Sequence, residues 1–142
     1  MNTTSLKHII RAILILLLQV LVLKRIGLST SWLWQYGDIF LYPVIVLLLP
    51  FRISRHYAIL IGFVIGLIID MFYDTIGVHA FALTATAYAR GLLLAYLEPR
   101  GGYQLSMSPT IFSMGLNWVM TFTVFSLLIH TFLYFTAEIF TF

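Results

Sequence analysis

The 142 residues are 61% hydrophobic and only 9% charged, with a mean hydropathy of +1.01, whereas soluble domains hold about 45–50% apolar residues. A soluble fold of this size cannot bury so much apolar surface, so the composition predicts an all-α polytopic membrane protein, organised as one integral membrane domain over residues 1–142. The net charge of +3 comes from eight Lys and Arg spread over short connecting stretches, which marks them as topology determinants and gives no sign of a nucleic-acid partner; with no cysteine there are no disulfides and no thiolate chemistry.

Along the chain, five spans are predicted. Lys7 and Arg11 followed by apolar sequence have the look of a signal peptide, but Lys24 and Arg25 come after the run and no A-x-A site appears, so an uncleaved first span over residues 9–23 is the better reading. The second lies within 31–49, started or kinked near Pro43 and closed by Pro50, with Trp32, Trp34 and Tyr36 as interfacial anchors. The third covers about 57–73 and the fourth about 78–97. The fifth opens at Ser108-Pro109, a good N-cap and first-turn pair, and passes Ile129. The positive-inside rule places the N-terminus in the cytoplasm with Lys7, Arg11, Arg52, Arg55 and Arg100, leaving Lys24 and Arg25 outside. Five spans would leave the C-terminus outside, unless a sixth span is missing or residues 132–142 lie along the interface.

The third span carries the most specific pattern. Ala58, Gly62, Gly66, Asp70 and Asp74 recur at every fourth position and so share one helix face. Small residues there let a second backbone approach closely. The fourth span offers Ala80, Thr84, Ala87, Gly91 and Ala95; the fifth offers Ser113, Asn117 and Thr121. These rows predict a compact bundle. The ridge on the third span, with Gly77 and Asn117, is the candidate packing or partner-binding surface, against either a neighbouring span or another protein's helix.

Asp70 is an intramembrane acid near the end of its span; it either reaches headgroups or caps or pairs inside the bundle. Arg90 is deeper, and its long side chain can snorkel to the inner surface, grouping it with Arg52, Arg55 and Arg100 in topology or inner-leaflet packing. A direct Asp70–Arg90 pair is disfavoured by a separation of about 13 Å along the membrane normal. His8, His56, His79 and His130 lack metal-ligand spacing and read as interfacial packing residues.

Nothing points to catalysis or to a cofactor. Gly66, Asp70 and Asp74 match the tail of the CDP-alcohol phosphotransferase signature, but that chemistry needs carboxylates on two helices to hold two metal ions, and the upstream stretch LLPFRISRHY has no acid. No G-x-S-x-G or H-E-x-x-H motif occurs either.

Over most of its length, and most densely from Leu49 to Tyr103, the chain resembles the rod shape-determining protein MreD family of bacteria. The resemblance is carried by Leu-Pro-Phe-Arg at 49–52, Gly62, Gly66-Leu67, Asp70, Gly77, Ala80, Tyr88 and Arg90, and by Pro-Arg-Gly-Gly-Tyr at 99–103. It implies six spans, against five visible here, and a fold similar to the substrate-binding subunits of energy-coupling-factor transporters. It also implies a place in the bacterial inner membrane, within the elongation machinery that builds side-wall peptidoglycan. The implied partners are MreC, the RodA glycosyltransferase with its class B penicillin-binding protein, and MreB. The chain would then be a membrane scaffold. The alternative, borrowed from the fold analogy, is a small-molecule or lipid-binding membrane subunit of a transporter; the first span has only Ala12 as a small residue, which argues against coupling to a transport motor.

Overall fold

The structure, a computed structural model, describes residues 3–23, 25 and 40–141. Among the described residues every regular element is helical. Four helical stretches are long and apolar enough to cross a membrane: Ser5–Leu23, Arg55–Tyr73, Val78–Tyr96 and Leu116–Phe140. In chain order the elements are α1 (Thr3–Leu17), which widens into a π-helical stretch (Leu18–Leu23), α2 (Pro43–Leu47), α3 (Arg55–Tyr73), α4 (Val78–Tyr96), α5 (Ile111–Met114) and α6 (Leu116–Thr141). Of the expected second span, residues 31–39, with Trp32, Trp34 and Tyr36, lie outside the described residues. The described remainder forms only the five-residue α2, opened by Pro43 at its first position, where a missing N–H costs nothing.

The chain divides into two compact units, Met1–Ile45 and Val46–Phe142. In the first, α1 is exposed along most of its length, and Gln19 is its buried polar residue. The Gln19 Oε1 accepts the Leu41 N–H at 2.8 Å. A side-chain amide away from water needs such a partner, and so does a backbone N–H ahead of a helix.

In the second unit α4 is central, packed by α3 on one side and α6 on the other. Both neighbours run antiparallel to it. A short turn after Tyr73 reverses the chain: Asp74 adopts a left-handed conformation (φ 55°) and Gly77 another (φ 79°). Aspartate tolerates that region better than most residues, and glycine enters it freely. Large apolar side chains such as Leu60, Val64 and Ile68 on α3, and Phe125 and Leu128 on α6, point outward, where lipid solvates them.

The connection from α4 to α6 is held by aromatic rings. Tyr103 stacks on Phe51 at 4.4 Å and meets Trp118 edge-on at 5.9 Å; Trp118 stacks on Phe122 at 5.1 Å. The Tyr103 hydroxyl donates to the Leu94 carbonyl at 2.7 Å, and the Trp118 indole N–H donates to the Leu97 carbonyl at 2.8 Å. Leu94 lies in the last turn of α4 and Leu97 is its C-cap, positions whose carbonyls have no helical donor. Phe51 and Arg52 N–H groups bond the Met107 and Leu105 carbonyls, each at 3.0 Å.

The start of the last span differs from the expectation at Ser108-Pro109. Thr110 is the N-cap, forming a reciprocal capping box with Ser113 around the short α5. Gly115, at φ 84° and ψ 160°, then breaks the helix, because that backbone conformation is open essentially only to glycine. The stripe of Ser113, Asn117 and Thr121 is therefore split between two elements. The buried row of α6 is instead Phe122, Ser126, His130 and Tyr134, also four apart.

Candidate functional site

The unit's polar centre lies where α3 meets the start of α4. Its origin is Gly66. A methyl group there would come within 2.4 Å of the Ala80 Cα and 2.8 Å of the Ala80 N and His79 O. Only a bare α-carbon lets the two backbones touch at this point. Gly62 is the second contact: a methyl would meet the Leu83 carbonyl oxygen at 3.0 Å and the Ala87 Cβ at 3.1 Å. Ala58, one turn earlier, is buried.

One turn beyond Gly66, the close approach brings Asp70 over the first turn of α4. Its Oδ1 accepts the His79 N–H at 3.0 Å and its Oδ2 accepts the Ala80 N–H at 2.9 Å. These are the second and third residues of α4, whose N–H groups have no helical acceptor. Asp70 thus caps a helix nine residues downstream, and its charge faces the positive end of that helix dipole. Thr75 Oγ1 donates to Oδ1 at 2.5 Å, and His79 Nδ1 lies 3.0 Å from the same oxygen. The Asp70 carbonyl accepts the Asp74 and Thr75 N–H groups. Asp70 is only 4% exposed, and the four contacts to its side-chain oxygens fix the carboxyl group in place.

Aromatic rings and a second histidine extend the cluster. Tyr73 lies 5.2 Å and Tyr134 5.1 Å from the His79 ring. Deeper, Thr86 Oγ1 donates to the Ala82 carbonyl at 2.7 Å and lies 2.9 Å from His130 Nδ1. His79 and His130 are both fully buried, not interfacial as their spacing suggested. The signals for them were the position of His79 in the first turn of α4 and the four-residue row that includes His130.

The cluster resembles a nucleophile–imidazole–carboxylate relay in composition alone. Thr75 and Asp70 both meet the same ring nitrogen, Nδ1 of His79, whereas a relay needs the hydroxyl and the carboxylate on opposite nitrogens. Among the described residues no three His, Cys, Asp or Glu side chains are grouped to hold a metal ion. The arrangement does structural chemistry: it satisfies a helix start and fixes a turn.

The other expected site residues are dispersed. Asp74 caps α3 through its backbone, with its side chain exposed. A methyl on Gly77 would meet nothing within 4 Å, so this glycine serves the turn and not a helix contact. Asn117 is exposed on α6. Arg52 and Arg100 are exposed. Arg55 lies across α4, its guanidinium 5.4 Å from the Tyr88 ring centroid. Arg90 does not snorkel: it is 2% exposed and donates to the Leu49 carbonyl at 2.6 Å, an oxygen left free after α2 ends. Asp70 and Arg90 are engaged at opposite ends of the bundle.

Comparisons with protein-family models, with curated proteins and with solved structures find no match.

Proposed function

We propose that the chain is a non-catalytic scaffold of the bacterial cytoplasmic membrane, of the MreD kind, which holds MreC and links it to the RodA glycosyltransferase and its class B penicillin-binding protein during side-wall peptidoglycan synthesis, with MreB as a more distant contact. Within this reading the bundle has the fold of an energy-coupling-factor substrate-binding subunit, in a family whose members usually have six spans. One observation carries the proposal: the positions that make up the sequence resemblance are joined to one another. Arg90 donates to Leu49, Tyr103 stacks on Phe51, Gly66 abuts Ala80, and Asp70 caps Ala80. Polar chemistry is thereby spent on internal joints, and the outer faces of α3 and α6 present bulky apolar side chains suited to another protein's span.

Charge supports the orientation. In the Val46–Phe142 unit Arg52, Arg55, Arg90 and Arg100 lie toward the end where α3 begins, and Asp74 and Glu138 toward the opposite end. The positive-inside rule sets the arginine end in the cytoplasm, and with it, in the family's topology, the N-terminus.

The test is photocrosslinking. A photoreactive residue is placed singly at Ile68, Phe125 and Leu128, and the chain is co-expressed with tagged MreC. Adducts to the MreC span from at least one face, with co-purification in mild detergent, are the expected result. Absence of both would overturn the scaffold reading, as would substrate turnover by the purified chain alone.

A further inference from the structure

An apolar groove of about 570 Å³ runs between α3 and α4. Its walls are Ile59, Phe63 and Leu67 from α3, and Phe81, Ala85 and Tyr88 from α4. It extends from Gly77 to Tyr88, about 16 Å at a helical rise of 1.5 Å per residue. On α4 the groove therefore begins at the α3–α4 turn and ends at Tyr88, the residue that Arg55 reaches.

One end of the groove is cationic. Arg55 precedes Ile59 by four residues, so it heads the same row of α3 that lines the groove. It lies over the Tyr88 ring and reaches across α4 at Gly91, where an added methyl would come within 2.8 Å of its Nε. Among the described residues no carboxylate is within ion-pair distance of Arg55. Arg52 is exposed three residues earlier. A guanidinium with no carboxylate partner at one end of an apolar channel about 16 Å long is complementary to one molecule: an amphiphile with an anionic phosphate and a long hydrocarbon tail.

We infer that this groove is a binding site for an anionic phospholipid, its phosphate on Arg55 and Arg52 and one acyl chain lying along Phe63, Phe81 and Ala85. The cation–π contact with Tyr88 holds the guanidinium at the groove mouth, and the planar fork of Arg55 suits a phosphate. The inference goes beyond the scaffold reading and does not depend on it.

The purified full-length chain in detergent is titrated with phosphatidylglycerol and with phosphatidylcholine of identical acyl chains, and its thermal midpoint is followed. Phosphatidylglycerol should raise the midpoint more than phosphatidylcholine. Arg55→Gln should abolish that difference and keep the response common to both lipids; Ala85→Phe, which fills the groove, should abolish both. A phosphatidylglycerol carrying a diazirine on its acyl chain should label the wild-type chain at residues 59–67 and 77–88. Equal response of the wild type to the two lipids overturns the proposal, and so does label confined to other helices or a charge preference that survives in Arg55→Gln. A dimer, detected by light scattering, that buries this groove would assign it to a second copy instead. Should Ala85→Phe not fold, the labelling pattern of the wild-type chain decides.

Discussion

Asp70 ties three sets of groups together through one carboxylate: the His79 and Ala80 N–H groups in the first turn of α4, the Thr75 hydroxyl in the α3–α4 turn, and the imidazole of His79. Replacement by leucine leaves two buried N–H groups without acceptors, at a cost of about 1–3 kcal/mol. Asparagine keeps one good acceptor and should cost less. Thermal unfolding in detergent should therefore rank wild type above Asp70→Asn above Asp70→Leu; equal midpoints for all three would refute the cap. Tyr103 permits a pH test outside the membrane. Burial, and then the nearby Glu98 carboxylate, push its phenol up to about 12 from 10.0. The folded state thus prefers the neutral phenol, so its contribution is intact below pH 10 and is lost as pH climbs through 12. In a spectrophotometric titration, the tyrosinate band that disappears in Tyr103→Phe should be the late one. At this scale the sequence was partly legible. An acid four residues after Gly66 announced itself, but its acceptor role depended on where the turn delivered α4. That Arg90 stays inside the bundle instead of snorkelling was not legible, because nothing local shows that the Leu49 carbonyl is left open to receive it.

Among the elements, the α3–α4 hairpin is governed by how closely two backbones can approach. Gly66→Ala drives a methyl against the backbone of α4, which cannot yield as a side-chain tip can, so the helices must part. The expected loss is about 1–3 kcal/mol, with further loss from the weakened Asp70 cap. Gly62→Ala meets contacts of 3.0 and 3.1 Å and should be milder. A larger drop in midpoint for Gly62→Ala than for Gly66→Ala would contradict this packing. The existence and extent of α3 and α4 were legible, because both are long apolar runs bounded by turn residues. The row of small residues on α3 was legible too, since a period of four survives without any tertiary knowledge. The α5–α6 break was not: Ser108-Pro109 offers a better local N-cap signal than Thr110, and Gly115 decides the matter through a conformation that sequence does not display.

For the Val46–Phe142 unit as a molecule, the gathering of its four arginines toward one end gives it a direction. The chain has no cysteine, so single cysteines can be introduced without a background. Ile76→Cys, at a site 89% exposed in the α3–α4 turn, should react with a membrane-impermeant maleimide added to intact cells. Gly101→Cys should react only after the membrane is opened. The reverse pattern would invert the orientation. Composition pointed to the membrane class, and four helices of the structure are long and apolar enough to cross one. It could not show that α4 sits between its neighbours, because that order rests on which small residues touch.

The capping of one helix by the one before it also bears on biosynthesis. While α3 alone has left the ribosome, the Asp70 carboxylate has no N–H groups to receive it, and an intramembrane aspartate costs up to about 2.5–3.5 kcal/mol on translocon scales, less near the surface. Its acceptor-hungry partners, His79 and Ala80, follow within ten residues. The two helices are therefore suited to leave the translocon together as a hairpin, and a nascent chain stopped at residue 77 should partition into lipid less readily than one that continues to residue 97.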